Sequence, residues 1–202
     1  MIETIGIIGA GQMGAGIAHV CALSKLHIIL TDVSGARLEH GIKLINEGLD
    51  RQVSRGKVSA SEKENALTRI QTTVALNSLG KVDLVIEAVS ENEELKRDIY
   101  KELANILSEH TLIATNTSSI SITRLAAASD RPGQFMGMHF MNPVPAMQLV
   151  ELIRGIATEP ETFEQIRALT EKHGKTPVSS EDFPAFIVID NKGNDFFEEF
   201  NI

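Results

Sequence analysis

Thr4-Ile5-Gly6-Ile7-Ile8-Gly9-Ala10-Gly11-Gln12-Met13-Gly14 is the stretch on which the reading of this chain turns. Thr4 to Ile8 is apolar and rich in β-branched residues, the make-up of a strand. Met13 to Leu23 then carries small and apolar residues at helical spacing. Between them lies a turn with three glycines, each with its own task. Gly9 allows the tight turn, Gly11 lets the backbone come close to a diphosphate, and Gly14 lets helix and strand pack closely. The free N–H groups at the start of the helix then face an anion.

Glycine turns are common, so the pattern alone decides little. A second apolar run, His27 to Thr31, supplies the context. It ends in Asp32, eighteen residues after Gly14, close to the separation of about 20 expected for a carboxylate on ribose hydroxyls. An acid there accepts from a 2′-hydroxyl and repels a 2′-phosphate. NAD is therefore expected over NADP, with Arg37 close enough to soften the preference. The cofactor set read from this region is Gly9, Ala10, Gly11, Gln12, Met13, Gly14 and Asp32.

A chain of 202 residues can bury one good core. Its formal net charge of -8, without a basic block, argues against nucleic acid or an anionic membrane surface as the main partner. No apolar run reaches the roughly 18 residues of a membrane span, and Met1 to Thr4 is strand-like rather than a signal peptide. A cytoplasmic protein is expected. Cys21, the single cysteine, falls within the first helix and reads as a small core residue; no metal site is expected.

After Asp32, Ser34 caps a long helix to about Ser54, with Leu38, Ile42, Ile45, Leu49 and Val53 on one face. A polar stretch from Arg55 to Glu64 follows. Arg51, Arg55, Lys57 and Lys63 in or beside it form either a solvated face or an attraction for an anionic substrate handle. Strands are predicted at 70–74, 82–89, 112–115 and 135–139, and helices at about 92–107 and 122–128. The run from Val82 to Val89 is almost continuously apolar, as in a strand buried on both faces. This alternation predicts an α/β fold: a doubly wound Rossmann-type parallel sheet with helices on both faces. Two further strands, 149–153 and 176–179, flank a helix at 161–173 and extend the sheet after the sixth strand.

Ligands of such sheets bind beyond the carboxyl ends of the strands. Three successive strand ends bring Glu91, Ser118, His139 and Asn142 to the edge that the glycine turn occupies. Any one of them could be a capping or turn residue, and Ser118 alone reads better as one; the shared edge is what makes the group a candidate site. His139 is the natural acid–base group beside a hydride-transferring cofactor. Glu151 follows in the next strand, after Pro143-Val144-Pro145 reverses the chain, and would fix the imidazole tautomer and stabilise the imidazolium.

The glycine turn, Asn116-Thr117-Ser118-Ser119, His139-Phe140-Met141-Asn142-Pro143-Val144-Pro145 and Leu149-Val150-Glu151 together closely resemble the L-3-hydroxyacyl-CoA dehydrogenases, in particular the bacterial 3-hydroxybutyryl-CoA group. The likeness covers about residues 1–188. It implies an NAD-dependent oxidoreductase of fatty acid metabolism that interconverts L-3-hydroxyacyl-CoA and 3-ketoacyl-CoA. By that resemblance His139 is the catalytic base and Glu151 its partner. Ser118 and Asn142 bind substrate and nicotinamide, and Glu91 and Lys96 contact the cofactor.

The resemblance stops at residue 188. The family continues through Gly-Phe-Ile-Val and Asn-Arg into a helical domain that closes the cleft and forms the dimer. Here Ala185 stands at the glycine, Ile189 at the asparagine, and residues 189–202 form a divergent tail with Phe196, Phe197 and Phe200. The expectation is a 1–188 cofactor domain lacking the helical domain and its dimer interface, with cofactor affinity retained and substrate binding weakened. A truncated NAD-binding module with little turnover is the alternative. A related dehydrogenase using a lysine base is disfavoured by the His139 and Glu151 pair.

Overall fold

Apolar residues alternate between two directions along each central strand, so the sheet needs cover on both faces. In the computed structural model, which describes residues 2–182, helices supply that cover on both faces of the central strands. β1 (Thr4–Ile8), β2 (His27–Thr31), β3 (Ile70–Thr73), β4 (Leu84–Glu87), β5 (Leu112–Thr115) and β6 (Phe135–Phe140) run parallel. With β7 (Leu149–Arg154) and β8 (Thr176–Glu181) they form one eight-stranded sheet in the order β3-β2-β1-β4-β5-β6-β7-β8. β7 is antiparallel to β6, and β8 is parallel to β7. The sequence-predicted fold class is the one observed.

The helices are α1 (Gln12–Leu23), α2 (Gly35–Ser54), α3 (Ala60–Thr68), α4 (Glu93–Leu103), α5 (Ile122–Ala126) and α6 (Pro160–Lys172). Ile5 and Ile7 of β1 pack with Ile17, Ile45, Leu49 and Ile166, from α1, α2 and α6. Ile8 points the other way, into a cluster with Tyr100, Leu103 and Ile122 from α4 and α5. Each such fully buried Ile or Leu contributes about 1.5–3 kcal/mol. Among the described residues, no helix is long and apolar enough to cross a membrane.

Two local readings need correction. The polar stretch from Arg55 to Glu64, for which no element is predicted, enters α3, whose start is fixed by a reciprocal cap: Ser59 Oγ accepts from Glu62 N, and Ser59 N donates to the Glu62 carboxylate. Only Ala66 of α3 is buried, so the helix has almost no apolar stripe to betray it. The run from Val82 to Val89 yields a shorter strand, since β4 ends at Glu87. Expectations about Phe183 to Ile202, including Ala185, Ile189 and the three phenylalanines, fall outside the described residues.

Candidate active site

The glycine turn is built for close approach. Gly9 has φ +103°, a backbone that favours glycine, and a Cβ there would lie 2.6 Å from the Ala88 carbonyl oxygen. A Cβ on Gly14 would lie 1.8 Å from the Gly9 carbonyl oxygen, so α1 can sit on the turn only with glycine in that place. Around Gly11 a Cβ would meet nothing within 4 Å, leaving open space over the turn. Gly11 also starts α1 without a side-chain cap, and the first turn carries no acidic residue. Its orphan N–H groups have no side-chain acceptor and suit a diphosphate.

Asp32 stands where a ribose would lie. Its Oδ2 accepts from Ala10 N and its Oδ1 from Val33 N, both at 2.7 Å, so the carboxylate is aimed by the turn itself. Arg37 Nε is 3.9 Å from Oδ1 but 71% exposed. Val33 and Val74, which follow the ends of the neighbouring strands β2 and β3, are exposed and offer an apolar wall to a flat base. These features fit NAD.

At the other side of the same edge, His139 and Glu151 are direct partners across the antiparallel β6–β7 pair. Opposed residues of such a pair point to one face of the sheet. His139 Nδ1 and Glu151 Oε2 are 2.7 Å apart, in side chains 17% and 5% exposed. With Nδ1 donating to the carboxylate, Nε2 is the nitrogen left for a reacting proton. Phe140 N donates to Asn116 Oδ1 at 2.8 Å, tying the end of β6 to the loop after β5. Gln12 Nε2 donates to Asn142 Oδ1 at 3.0 Å, joining the glycine turn to the β6–β7 loop.

Ser118 is exposed, and its loop is held by Glu91. Glu91 Oε1 accepts from Thr117 Oγ1 at 2.5 Å, Ser118 N at 3.1 Å, Ser119 N at 3.2 Å and Ser119 Oγ at 2.9 Å. Burial pushes the Glu91 carboxyl up, but these donors and the Lys96 ammonium outweigh it and hold it below the usual range. Lys96 is 1% exposed, with its ammonium 2.7 Å from Glu87 Oε1 and 3.5 Å from Glu91 Oε2. In this conformation it reaches the site through Glu91 and is not itself an open cation. Arg51, Arg55 and Lys57 are exposed, while Lys63 pairs with Asp50. They lie at the end of α2 remote from Asp32, about 30 Å away by the length of a 20-residue helix. Only an extended ligand would span that distance.

Glu87 escaped the sequence reading. Fully buried, its carboxylate takes Lys96 Nζ and Val89 N on Oε1, and Tyr100 OH at 2.6 Å and Thr115 Oγ1 at 2.7 Å on Oε2. Burial, then the Glu87 carboxylate, push the Tyr100 hydroxyl well above its usual range, so it remains a donor. The signal was present: an acid inside an apolar run that must be covered on both faces requires a buried partner.

Fold and site together define a dinucleotide-binding domain that carries a histidine–carboxylate pair. Residues 4–183 match the family described as 3-hydroxyacyl-CoA dehydrogenase, NAD binding domain, and the chain belongs to that family. It is 55% identical over 188 residues to a 3-hydroxybutyryl-CoA dehydrogenase of Bradyrhizobium diazoefficiens, covering 93% of this chain and 64% of that one. It is 43% identical over 187 residues to a fatty acid oxidation complex subunit alpha of Acinetobacter baumannii, covering 93% of this chain and 26% of the relative. Among solved structures, (S)-3-hydroxybutyryl-CoA dehydrogenase PaaH1 from Ralstonia eutropha superposes with a TM-score of 0.91 at 43% identity, covering 95% of this chain and 68% of that one. The chain thus spans slightly less than two thirds of the length of the Bradyrhizobium relative.

Proposed function

We propose that this chain carries the cofactor site and the acid–base pair of an NAD-dependent L-3-hydroxyacyl-CoA dehydrogenase, with a short-chain substrate such as 3-hydroxybutyryl-CoA. The observation that carries the reading is the 2.7 Å His139–Glu151 contact at the strand edge shared with the glycine turn. NAD, when bound, supplies the acceptor for the hydride that leaves C3. His139 Nε2 takes the proton of the 3-hydroxyl, and Glu151 stabilises the resulting imidazolium. Ser118 and Asn142 orient the reacting carbon by hydrogen bonds to substrate and nicotinamide. In the opposite direction His139 returns the proton to the ketone oxygen.

Residues 1–188 are taken as the cofactor-binding unit. Its anchors are the N–H groups of Gly9 to Gly14 for the diphosphate and Asp32 for the ribose. Glu91, with Lys96 behind it, fixes the Ser118 loop on which the nicotinamide end would rest. The acyl-CoA is the partner, and the cytoplasm, where CoA thioesters and NAD are both at hand, is the setting. A module that holds NAD without turning over is disfavoured, because His139 already contacts its carboxylate partner at 2.7 Å, with Glu151 buried behind it. NADH oxidation by the purified chain on adding acetoacetyl-CoA tests the proposal; an absence of turnover with NADH bound would overturn it.

Asp32 gives a second prediction. Loss of a charge-assisted bond costs about 1.5–3 kcal/mol, so Asp32→Ala should weaken NADH binding by roughly 10- to 100-fold. NADPH binding should weaken less, since repulsion of the 2′-phosphate disappears and Arg37 is released from its carboxylate. Fluorescence titration with both nucleotides measures the change. A wild-type preference for NADPH would remove the basis of the assignment.

A further inference from the structure

Between β6 and β7 the chain makes a short loop over residues 141–148, which carries Asn142 and the cis Asn142–Pro143 peptide. The loop is folded on itself, with Ala146 N and Met147 N both donating to the Pro143 carbonyl at 2.9 and 3.0 Å. On its upper side Asn142 takes the bond from Gln12 at the glycine turn. On its inner side Val144 packs against α1 so tightly that a Cβ on Gly16 would lie 2.9 Å from the Val144 Cβ. Neither contact by itself fixes the two loop carbonyls that face inward.

Those carbonyls are held by a residue from elsewhere in the fold. Lys175, in the turn between α6 and β8, donates from Nζ to both Val144 O and Met147 O at 2.6 Å. It is 8% exposed, and among the described residues it forms no ion pair with a carboxylate. An ammonium taken from water without a counter-ion is a costly arrangement. Burial pushes its pKa down, partly opposed by Cys21. The neighbouring titratable groups are Cys21 and His19 from α1 and His173 at the end of α6, with His173 lowered to about 4 by burial, then by Lys172 and Lys175. None supplies an opposing charge near neutral pH, so the two loop carbonyls are what the buried cation is bonded to.

We propose that Lys175 is a positioning residue: its ammonium clamps the β6–β7 loop against α1, which keeps Asn142 at the glycine turn and β6 and β7 in the register that pairs His139 with Glu151. A side chain that merely filled the space would be replaceable by methionine, which is similar in length and has no N–H. A clamp would not. The effect on turnover rests on the dehydrogenase reading above, whereas the effect on the loop does not.

Amide hydrogen exchange on the purified chain tests the clamp without any ligand. In Lys175→Met, exchange at Ala146 and Met147 should accelerate by at least about tenfold, the scale set by losing a hydrogen bond to a charged group. Amides of β1 and β4 should keep their wild-type rates, and Lys175→Arg, which retains the donors, should restore much of the loop protection. In the activity assay the same Met variant should lose about tenfold or more in kcat, as a displaced reacting group does. Its NADH dissociation constant should rise by less than kcat falls, because the diphosphate and ribose anchors, Gly9 to Gly14 and Asp32, make no contact with Lys175 and only the nicotinamide end loses a partner in Asn142. Unchanged loop exchange overturns the proposal, and so does an equal acceleration throughout the sheet. If Lys175→Met does not fold, Lys175→Leu, which also lacks an N–H to offer the Val144 and Met147 carbonyls, is judged by the same two criteria. A wild-type chain with no turnover would sink the dehydrogenase reading, and the exchange result would still decide the clamp.

Discussion

His139→Ala should lower acetoacetyl-CoA reduction by roughly 10²- to 10⁴-fold, the worth of a positioned general acid–base group, while NADH binding stays close to wild type. The separation follows from the geometry. His139 sits on β6, two strands from β4 and three from β1 in the sheet order, so the diphosphate and ribose anchors do not depend on it. Glu151→Ala should depress turnover through His139, because the carboxylate holds Nδ1 at 2.7 Å from the opposed strand position. Without it the imidazole is free to turn, and the cation formed on proton uptake loses its partner. The double variant should therefore be little worse than the worse single one, as for residues that act as a unit. Steady-state kinetics on the three variants, with NADH titrations alongside, supply the numbers. Multiplicative losses in the double variant would mean that the two side chains act separately, and an unaltered rate in His139→Ala would end its role as proton carrier.

The parts of this molecule that could be read from its sequence are those that depend on neighbours in the chain. The β1 strand, the Gly9–Gly14 turn and the Ser34 cap of α2 are local patterns, and the structure has each where the pattern puts it. The juxtaposition of His139 and Glu151 was legible for a similar reason: Pro143 and Pro145 force a reversal between two apolar runs, and antiparallel pairing then does the rest. What escaped depends on distant contacts. Gln12 meets Asn142 across 130 residues, and Lys175 meets Val144 across 31. No periodicity encodes such meetings, because a long polar side chain is compatible with many surroundings. Helix α3 was hidden for a different reason. Its Ser59 and Glu62 carry the cap signature, but a helix that buries a single alanine lacks the apolar stripe that usually reveals one.

The largest stability effect is expected at Glu87. Glu87→Ala leaves the Lys96 ammonium, in a side chain 1% exposed, with only Glu91 Oε2 at 3.5 Å as a counter-ion. Removing one member of a buried pair costs about 3–5 kcal/mol. The Tyr100 hydroxyl and Thr115 lose their shared acceptor as well. Domains of this kind are stable by only about 5–15 kcal/mol, and each kcal/mol moves the melting point of a chain this size by roughly 2–4 °C. A fall of about 6–20 °C in thermal melting, followed by circular dichroism, is therefore expected. Exchanging both members for methionine should recover the part of that loss owed to the unpaired Lys96 ammonium, because an apolar pair carries no desolvation penalty, while Tyr100 and Thr115 stay without their acceptor. Cofactor binding should not recover with it. Lys96 is one of the groups that hold the Glu91 carboxyl ionised beneath Ser118 and Ser119, and without it the loop loses part of its fixing. The double variant should thus melt between Glu87→Ala and the wild type, yet bind NADH more weakly than the wild type. A Glu87→Ala protein melting within about 2 °C of the wild type would show that this network contributes little, since it would correspond to under about 1 kcal/mol.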